Sequence, residues 1–465
     1  MWHYNLSARH LDKLCERVDT FSVSGDGERL VVRHRDDIIV VPSSHKVDGD
    51  DPACIRVDLT RLRRTVNPRA EWRQMFDENG RLMASHYWRE DMNGVDWDGV
   101  LNRYRPLVDL CHVVDDLHDI LWETVAELNT SHSYVSASGA AGDSDMRAGL
   151  LGADVSSGDD GARVVRVIPG ESSDPRAWSP LRAAGVAVTE GDVIVAVDGR
   201  KVGADGNLGE LLEGSAGRVV ELTVRRGENE RQVAVVPMAD EAPLRYHDWV
   251  ASRRRYVEEH SGGRLGYLHV PDMVSDGWAE LHRQIGEATR HEGVIADVRF
   301  NHGGHTSQLV VERLARRVVG WDYSRWYATA DTYPQNAVRG PIVMVTNQWA
   351  GSDGDIVAAA TQAMGYAKVI GERSWGGVVG IDGRFDLVDG TSVTQPRYAG
   401  WYGSYGWGVE NHGVDPDIVV TVSPEDWEAD RDVQLDAAIA ECLRQLDDKP
   451  AATAPELPGP AFDRC

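Results

Sequence analysis

Ile342-Val343-Met344-Val345-Thr346 is an apolar run of strand length that reads as a buried strand. It passes through Asn347-Gln348-Trp349-Ala350-Gly351-Ser352-Asp353-Gly354-Asp355 into Ile356-Val357-Ala358-Ala359-Ala360, which reads as a helix. Strand, tight Gly-bearing corner and helix in so few residues constrain the region to an α/β arrangement. The corner also carries chemistry. It pushes the hydroxyl of Ser352 out of the backbone, and the free amides at the helix start can hold a developing oxyanion with help from the helix dipole. The simpler reading of Ser352 is a helix N-cap.

The chain around this unit changes character several times. Residues 19–42 alternate in a β manner between short polar turns, in the way of one propeller blade, and no second copy follows. A lone blade cannot bury both faces without stacked neighbours; in the family that the motifs below resemble, such a segment is the last blade of a propeller, so the resemblance implies that residues 1–58 are its remnant in a C-terminal portion of something longer. Residues 59–146 read as helical: Leu101, Tyr104, Leu107, Val108 and Leu110, then Leu117, Ile120, Leu121, Val125 and Leu128, recur at helical spacing and are core candidates. Residues 147–241 form a different block, with an Asp198-Gly199 hairpin signal. Residues 242–447 alternate strands and helices, and the Pro- and Ala-rich 448–465 read as a flexible tail.

Two more segments bear on Ser352. Gly293–Gly304 runs from an apolar strand through Asp297, Arg299 and Asn301 into a Gly303-Gly304 corner that frees backbone amides. Gly371–Gly380 reads Gly-Glu-Arg-Ser-Trp-Gly-Gly-Val-Val-Gly. With Ser352 these resemble the C-terminal processing protease clan, whose members carry D-x-R-x-N-x-G-G, the serine, and G-x-x-[ST]-[FW]-G in that order. Members that use a lysine base place it where this chain has Gly377, and Lys368 lies upstream of the motif, which disfavours a Ser-Lys enzyme. Thr130-Ser131-His132-Ser133-Tyr134 resembles the T-S-H-[AS]-Y segment of the tricorn protease family, the histidine-using branch. Gly406–Asp417, with Glu410 inside it, is similar to that family's G-x-G-V-E-N-x-G-V-x-P-D. The order His, Ser, Glu and the gap of 220 positions from His132 to Ser352 also match, and the resemblance extends over about 20–447.

By position, the resemblance implies Ser352 as nucleophile, His132 as base, and Ser131 with Glu410 completing a tetrad. It implies an oxyanion hole from the amides of Asp353 and Gly303 or Gly304. It also implies an acidic S1 residue from a neighbouring subunit, for which Asp322 and then Asp331 are the candidates. The implied architecture is multidomain, β and α/β: a residual propeller blade, a helical subdomain carrying His132, a PDZ-like domain, and a catalytic domain of the ClpP/crotonase-like type. In the PDZ-like block, Gly149-Leu150-Leu151-Gly152 is the candidate carboxylate-binding loop. The implied activity is trimming of oligopeptides in a hexameric homo-oligomer. The basic residues that anchor a substrate C-terminus in the family lie in a propeller outside this chain. The rival readings are a Ser-Lys processing protease and a catalytically silent PDZ adaptor.

Composition narrows the partners. The 465 residues carry 74 acidic and 49 basic side chains, a net charge of −25, which disfavours nucleic acid and anionic membrane. No apolar run approaches the roughly 18 residues of a membrane span. No secretory signal is seen at the start, and the five scattered cysteines lack any CxxC pair; both fit a cytoplasmic protein with reduced thiols. His302 and His305 flank Gly303-Gly304, but a third ligand is lacking nearby and no metal or other cofactor is expected.

Overall fold

The structure is a computed structural model that describes residues 1–49, 51–63, 65–138, 146–203 and 206–457. The chain divides into two compact units, Met1–Glu71 and Trp72–Cys465. In the first, strands Thr20–Val23, Arg29–His34, Asp37–Pro42 and Ile55–Val57 form an antiparallel meander in chain order, and Trp2–Asn5 pairs with His10–Lys13. Alternation along the second meander strand sends Leu30 and Val32 inward, where they meet Leu14 and Val41. The other face is open, with Val31, Ile55 and Val57 exposed; Phe21 and Val23, opposite Val32 and Leu30, are exposed at the edge of the inward face.

The second unit begins with helices. The first, Pro68–His86, starts in the preceding unit; Trp97–Val108 and Val114–Ala126 follow. Asp96 caps the second helix by accepting from the Gly99 amide at 3.0 Å. Phe76, Met83, Leu101, Val108, Leu117, Leu121, Val125 and Leu128 share one core with Leu387 and Val393 from much later in the chain. Two of the core candidates are not in it: Leu107 is 42% and Leu110 66% exposed. Leu107 precedes the buried Val108 by one residue, about 100° around the helix, and Leu110 lies beyond the helix end.

Residues 149–240 build a sheet in which Ala153–Gly158, Gly161–Val167, Val193–Val197, Val220–Arg226 and Asn229–Val235 are successive neighbours, with Arg200–Lys201 added to the third. Asp198 and Gly199 both take positive φ, 48° and 77°, in the two-residue turn that sets Val197 opposite Arg200. The Gly149–Gly152 loop spends amides inside the domain: Gly149 donates to the Leu212 carbonyl at 2.8 Å, and Leu150 exchanges two 2.8 Å bonds with Met238.

The remaining residues hold a five-stranded parallel sheet in the order Leu265–His269, Gly293–Asp297, Ile342–Thr346, Ala367–Gly371, Ile418–Val419. The three leading strands are buried at every position, because helices cover both faces. Met344, Ala296 and Leu268 face helices Ser275–Ala288, Ser307–Leu314 and Asp353–Met364. Val343, Val345 and Ile295 face Ala242–His260 and Val433–Asp448. Past that last helix, within the segment read as a tail, Ala452 donates to the Arg339 carbonyl at 2.8 Å; residues 458–465 lie outside the described residues.

Candidate active site

Two corners at the carboxyl ends of adjacent strands meet at Ser352. The Asn347 carboxamide oxygen accepts from the Trp349 amide of its own corner at 3.2 Å and from the Phe300 amide of the other at 3.0 Å. Asn301 returns the link: its carbonyl accepts from the Gly351 amide at 3.0 Å, and its side chain donates to the Val270 carbonyl at 2.7 Å. So tied, Ser352 sits at φ 59°, ψ −120°, a strained conformation for a residue with a side chain. It holds the N-cap position of the Asp353–Met364 helix, yet its hydroxyl makes no capping bond, so capping does not account for the side chain. The corners approach so closely that a Cβ on Gly303 would come within 2.4 Å of the Ser352 Cβ. Only glycine fits there.

His132 reaches the same cavity, about 470 Å³, which Ser352, Tyr134, Asn301, Gly304 and Trp375 also line. Its turn is clamped by residues that follow Ser352 in the chain. Val135–Ser136 pairs antiparallel with Ser392–Val393. The Tyr134 amide donates to Thr394 Oγ1 at 2.7 Å, and that hydroxyl donates to the His132 carbonyl. Behind the imidazole, Ser131 Oγ lies 3.0 Å from His132 Nδ1 and donates to Glu410 Oε2 at 3.0 Å. Since the Ser131 proton goes to Glu410, its oxygen accepts the Nδ1 proton, which leaves Nε2 as the free, basic nitrogen. Glu410 also accepts from the amides of Ser131 (2.7 Å), Val378 (2.8 Å) and Val379 (3.0 Å). Four donors fix one carboxylate. Burial pulls the His132 pKa below its ordinary 6.5, with the Glu410 charge opposing.

Asp355, three residues past Ser352, is a participant that the sequence did not disclose. It is fully buried and accepts from Ser374 Oγ at 2.5 Å and from the Gly376 and Gly377 amides at 2.8 and 3.3 Å. Burial pushes its pKa up to about 6. The loop it holds presents Trp375, whose ring meets His132 edge-on at 5.4 Å and whose amide donates to the Ala350 carbonyl at 2.9 Å. A carboxylate at a helix start resembles any first-turn acid, so no local signal marks it.

The oxyanion candidates separate. The Gly303 amide donates to Asn301 Oδ1 at 2.9 Å and is engaged. Among the described residues the amides of Gly304 and Asp353 have no partner. The Asp353 carboxylate turns away to accept from the Ser307 amide at 3.1 Å. Asp322 and Asp331 do not line the cavity; they are register partners in a separate hairpin. Gly377 has no room for a longer side chain, since a Cβ would meet the Trp375 ring at 2.2 Å, and Lys368 pairs with Asp417 at 3.5 Å. His302 and His305 line the cavity, but among the described residues no group of three or more His, Cys, Asp or Glu could hold a metal. Asp297 and Arg299 are structural: Arg299, 5% exposed, bridges Asp297 and Asp432 at 2.7 Å each, joining the strand end to the last helix.

A parallel sheet with a strained serine at its carboxyl edge, faced by a histidine–hydroxyl–carboxylate relay, defines a chain of the serine peptidase class. The family model for peptidase family S41 matches residues 264–420; those for the tricorn protease PDZ domain and C1 domain match 149–240 and 68–126. The chain belongs to the tricorn protease family. It is 57% identical to tricorn protease homolog 1 of Streptomyces coelicolor over 98% of this chain and 43% of that protein. It is 35% identical to the tricorn protease of Thermoplasma acidophilum over 95% of this chain and 41% of that one. A crystal structure of the tricorn protease superposes with a TM-score of 0.86 at 34% identity, covering 96% of this chain and 43% of that chain. The chain thus spans less than half the length of each of these relatives.

Proposed function

We propose that this chain hydrolyses peptide bonds in oligopeptides through Ser352, His132, Ser131 and Glu410. The observation that carries this is the unbroken relay from Glu410 through Ser131 to His132 Nδ1, with His132 lining the cavity that holds Ser352. In this reading His132 takes the Ser352 proton as Oγ attacks the carbonyl carbon. The oxyanion settles on the amides of Gly304 and Asp353, at the positive end of the helix. His132 then protonates the leaving amine, and water repeats the sequence on the acyl-serine. Ser131 and Glu410 orient the ring and stabilise its charged form. Cytoplasmic location, assembly into homo-oligomers and an S1 acid, Asp322 or Asp331, supplied by a neighbouring copy are part of the same proposal and rest on family membership.

A fluorophosphonate probe tests it: wild type should be labelled at Ser352, and Ser352→Ala should not. Equal labelling of both proteins, or peptide turnover that survives Ser352→Ala, would sink the assignment. A protein that labels nowhere and cleaves nothing would favour the silent adaptor.

A further inference from the structure

A second cavity, about 720 Å³, opens beside the catalytic one at the carboxyl ends of the same strands, the usual place for ligands in open α/β sheets. Gln348 and Trp349 line both cavities. Trp349 precedes Ser352 by three residues, a span of at most about 11 Å. The rest of the apolar lining is Trp249, Phe300, Val422, Pro424 and Trp427. Trp427 is 78%, Trp349 63% and Phe300 39% exposed, so three large apolar rings face one space.

Most of the charged groups around them are committed to one another. Arg299 and Arg253 share Asp432, at 2.7 and 3.1 Å, and Arg431 pairs with Asp426 at 2.7 Å. Two carboxylates remain: Glu372 accepts from the neutral Gln434 amide at 3.2 Å, and the exposed Asp430 stands 3.9 Å from Arg253. What meets a ligand is aromatic surface, with the exposed Gln348 at the junction and no cation left over to hold a carboxylate end. Such a lining selects an apolar side chain over a charged chain end.

We propose that this cavity is a specificity subsite that takes an aromatic or large aliphatic side chain of the peptide, within about three residues of the bond to be cut. It rests on the catalytic reading above, because the peptide must thread from one cavity to the other past Gln348.

The test uses internally quenched hexapeptides that carry Phe or Gly at one position at a time, up to three residues on either side of the cleaved bond. The readout is the Phe-to-Gly ratio of kcat/KM for wild type, Trp427→Ala and Trp427→Phe. Wild type should favour Phe at one position by about tenfold or more, the scale of hydrophobic-pocket discrimination. Trp427→Ala should bring that ratio toward one, and Trp427→Phe should restore most of it. A ratio near one at every position, or one untouched by Trp427→Ala, overturns the subsite. So does an unchanged ratio with an altered sedimentation coefficient, which would mean that another copy occupies the cavity. If nothing is cleaved and Ser352 takes no fluorophosphonate, the catalytic reading fails by itself. The subsite is then decided by the Kd of an N-acetyl hexapeptide amide containing Phe: weaker binding to Trp427→Ala supports it, and equal binding overturns it.

Discussion

Asp355 and Ser374 share a 2.5 Å hydrogen bond that fastens the loop beside His132 to the first turn of the Ser352 helix. The carboxylate is fully buried, so its strength as an anchor depends on its charge. Because its folded pKa of about 6 lies above the ordinary 3.8, the sign is that of a raised acid. Its contribution to stability is fully present below about pH 4 and is lost as pH rises through about 6. An Asn in its place removes that dependence. The stability of wild type relative to Asp355→Asn should fall by about 3 kcal/mol between pH 4 and 7, as measured by denaturant unfolding at each pH. Identical pH profiles would mean that Asp355 titrates normally.

The pH dependence of the rate should report His132. Burial lowers its pKa, and the base must be neutral to act. The rise of kcat/KM with pH should therefore be centred below 6.5. Asp355 titrates in the same range, so the limb that persists in Asp355→Asn is the one to assign to the imidazole. A rise that appears only near pH 8 or above, and survives His132→Ala, would point to a lysine base.

Glu410→Gln keeps the shape of the side chain but puts an NH2 group against donors, one of them if it replaces Oε1 and three if it replaces Oε2. The relay should lose its direction, and the imidazole its tautomer. We expect kcat to drop by roughly 10²–10⁴-fold with little change in KM, on the scale seen when a triad acid becomes an amide. Near-normal kcat would remove Glu410 from the relay.

Arg299→Met should leave Asp297 and Asp432 buried without their shared partner. Breaking a buried pair of this kind costs about 3–5 kcal/mol, visible as a lowered unfolding midpoint. Asp322→Asn, which takes no part in this network, should shift it little; equal shifts in the two variants would mean that the network is not structural.

In residues 1–71 one face of the sheet is open, and the segment from Asp58 to Asn67 is exposed wherever it is described. Limited proteolysis should cut first in that segment and release a core that begins near Pro68. If cutting starts elsewhere, the segment is covered in solution.

Much of the fold was legible because burial patterns are local. Ile342–Thr346 and Gly293–Asp297 announced themselves as buried strands, and Asp198-Gly199 as a hairpin turn. The helical spacing around Leu101 marked a helix but did not separate Val108 from its exposed neighbour Leu107; that needed the partner surface. The site was less legible. Nothing local joins His132 to Glu410, and their pairing came from resemblance to a family. Asp355 and Thr394 act through backbone amides and hydroxyls across long loops, and such partners leave no periodic trace. Gly303 and Gly304 looked equivalent in sequence. Asn301 distinguishes them by accepting one amide.

Ser131 and Glu410 are 279 positions apart, and most of the larger unit lies between them. Closing so long a loop comes late in folding, because its entropy must be met before the contact gives anything back. A chain still being made, or one that has opened at either end, holds a serine with no directed base. Under the proposed chemistry, hydrolysis begins only when that contact has closed, and the peptidase is latent by topology until then.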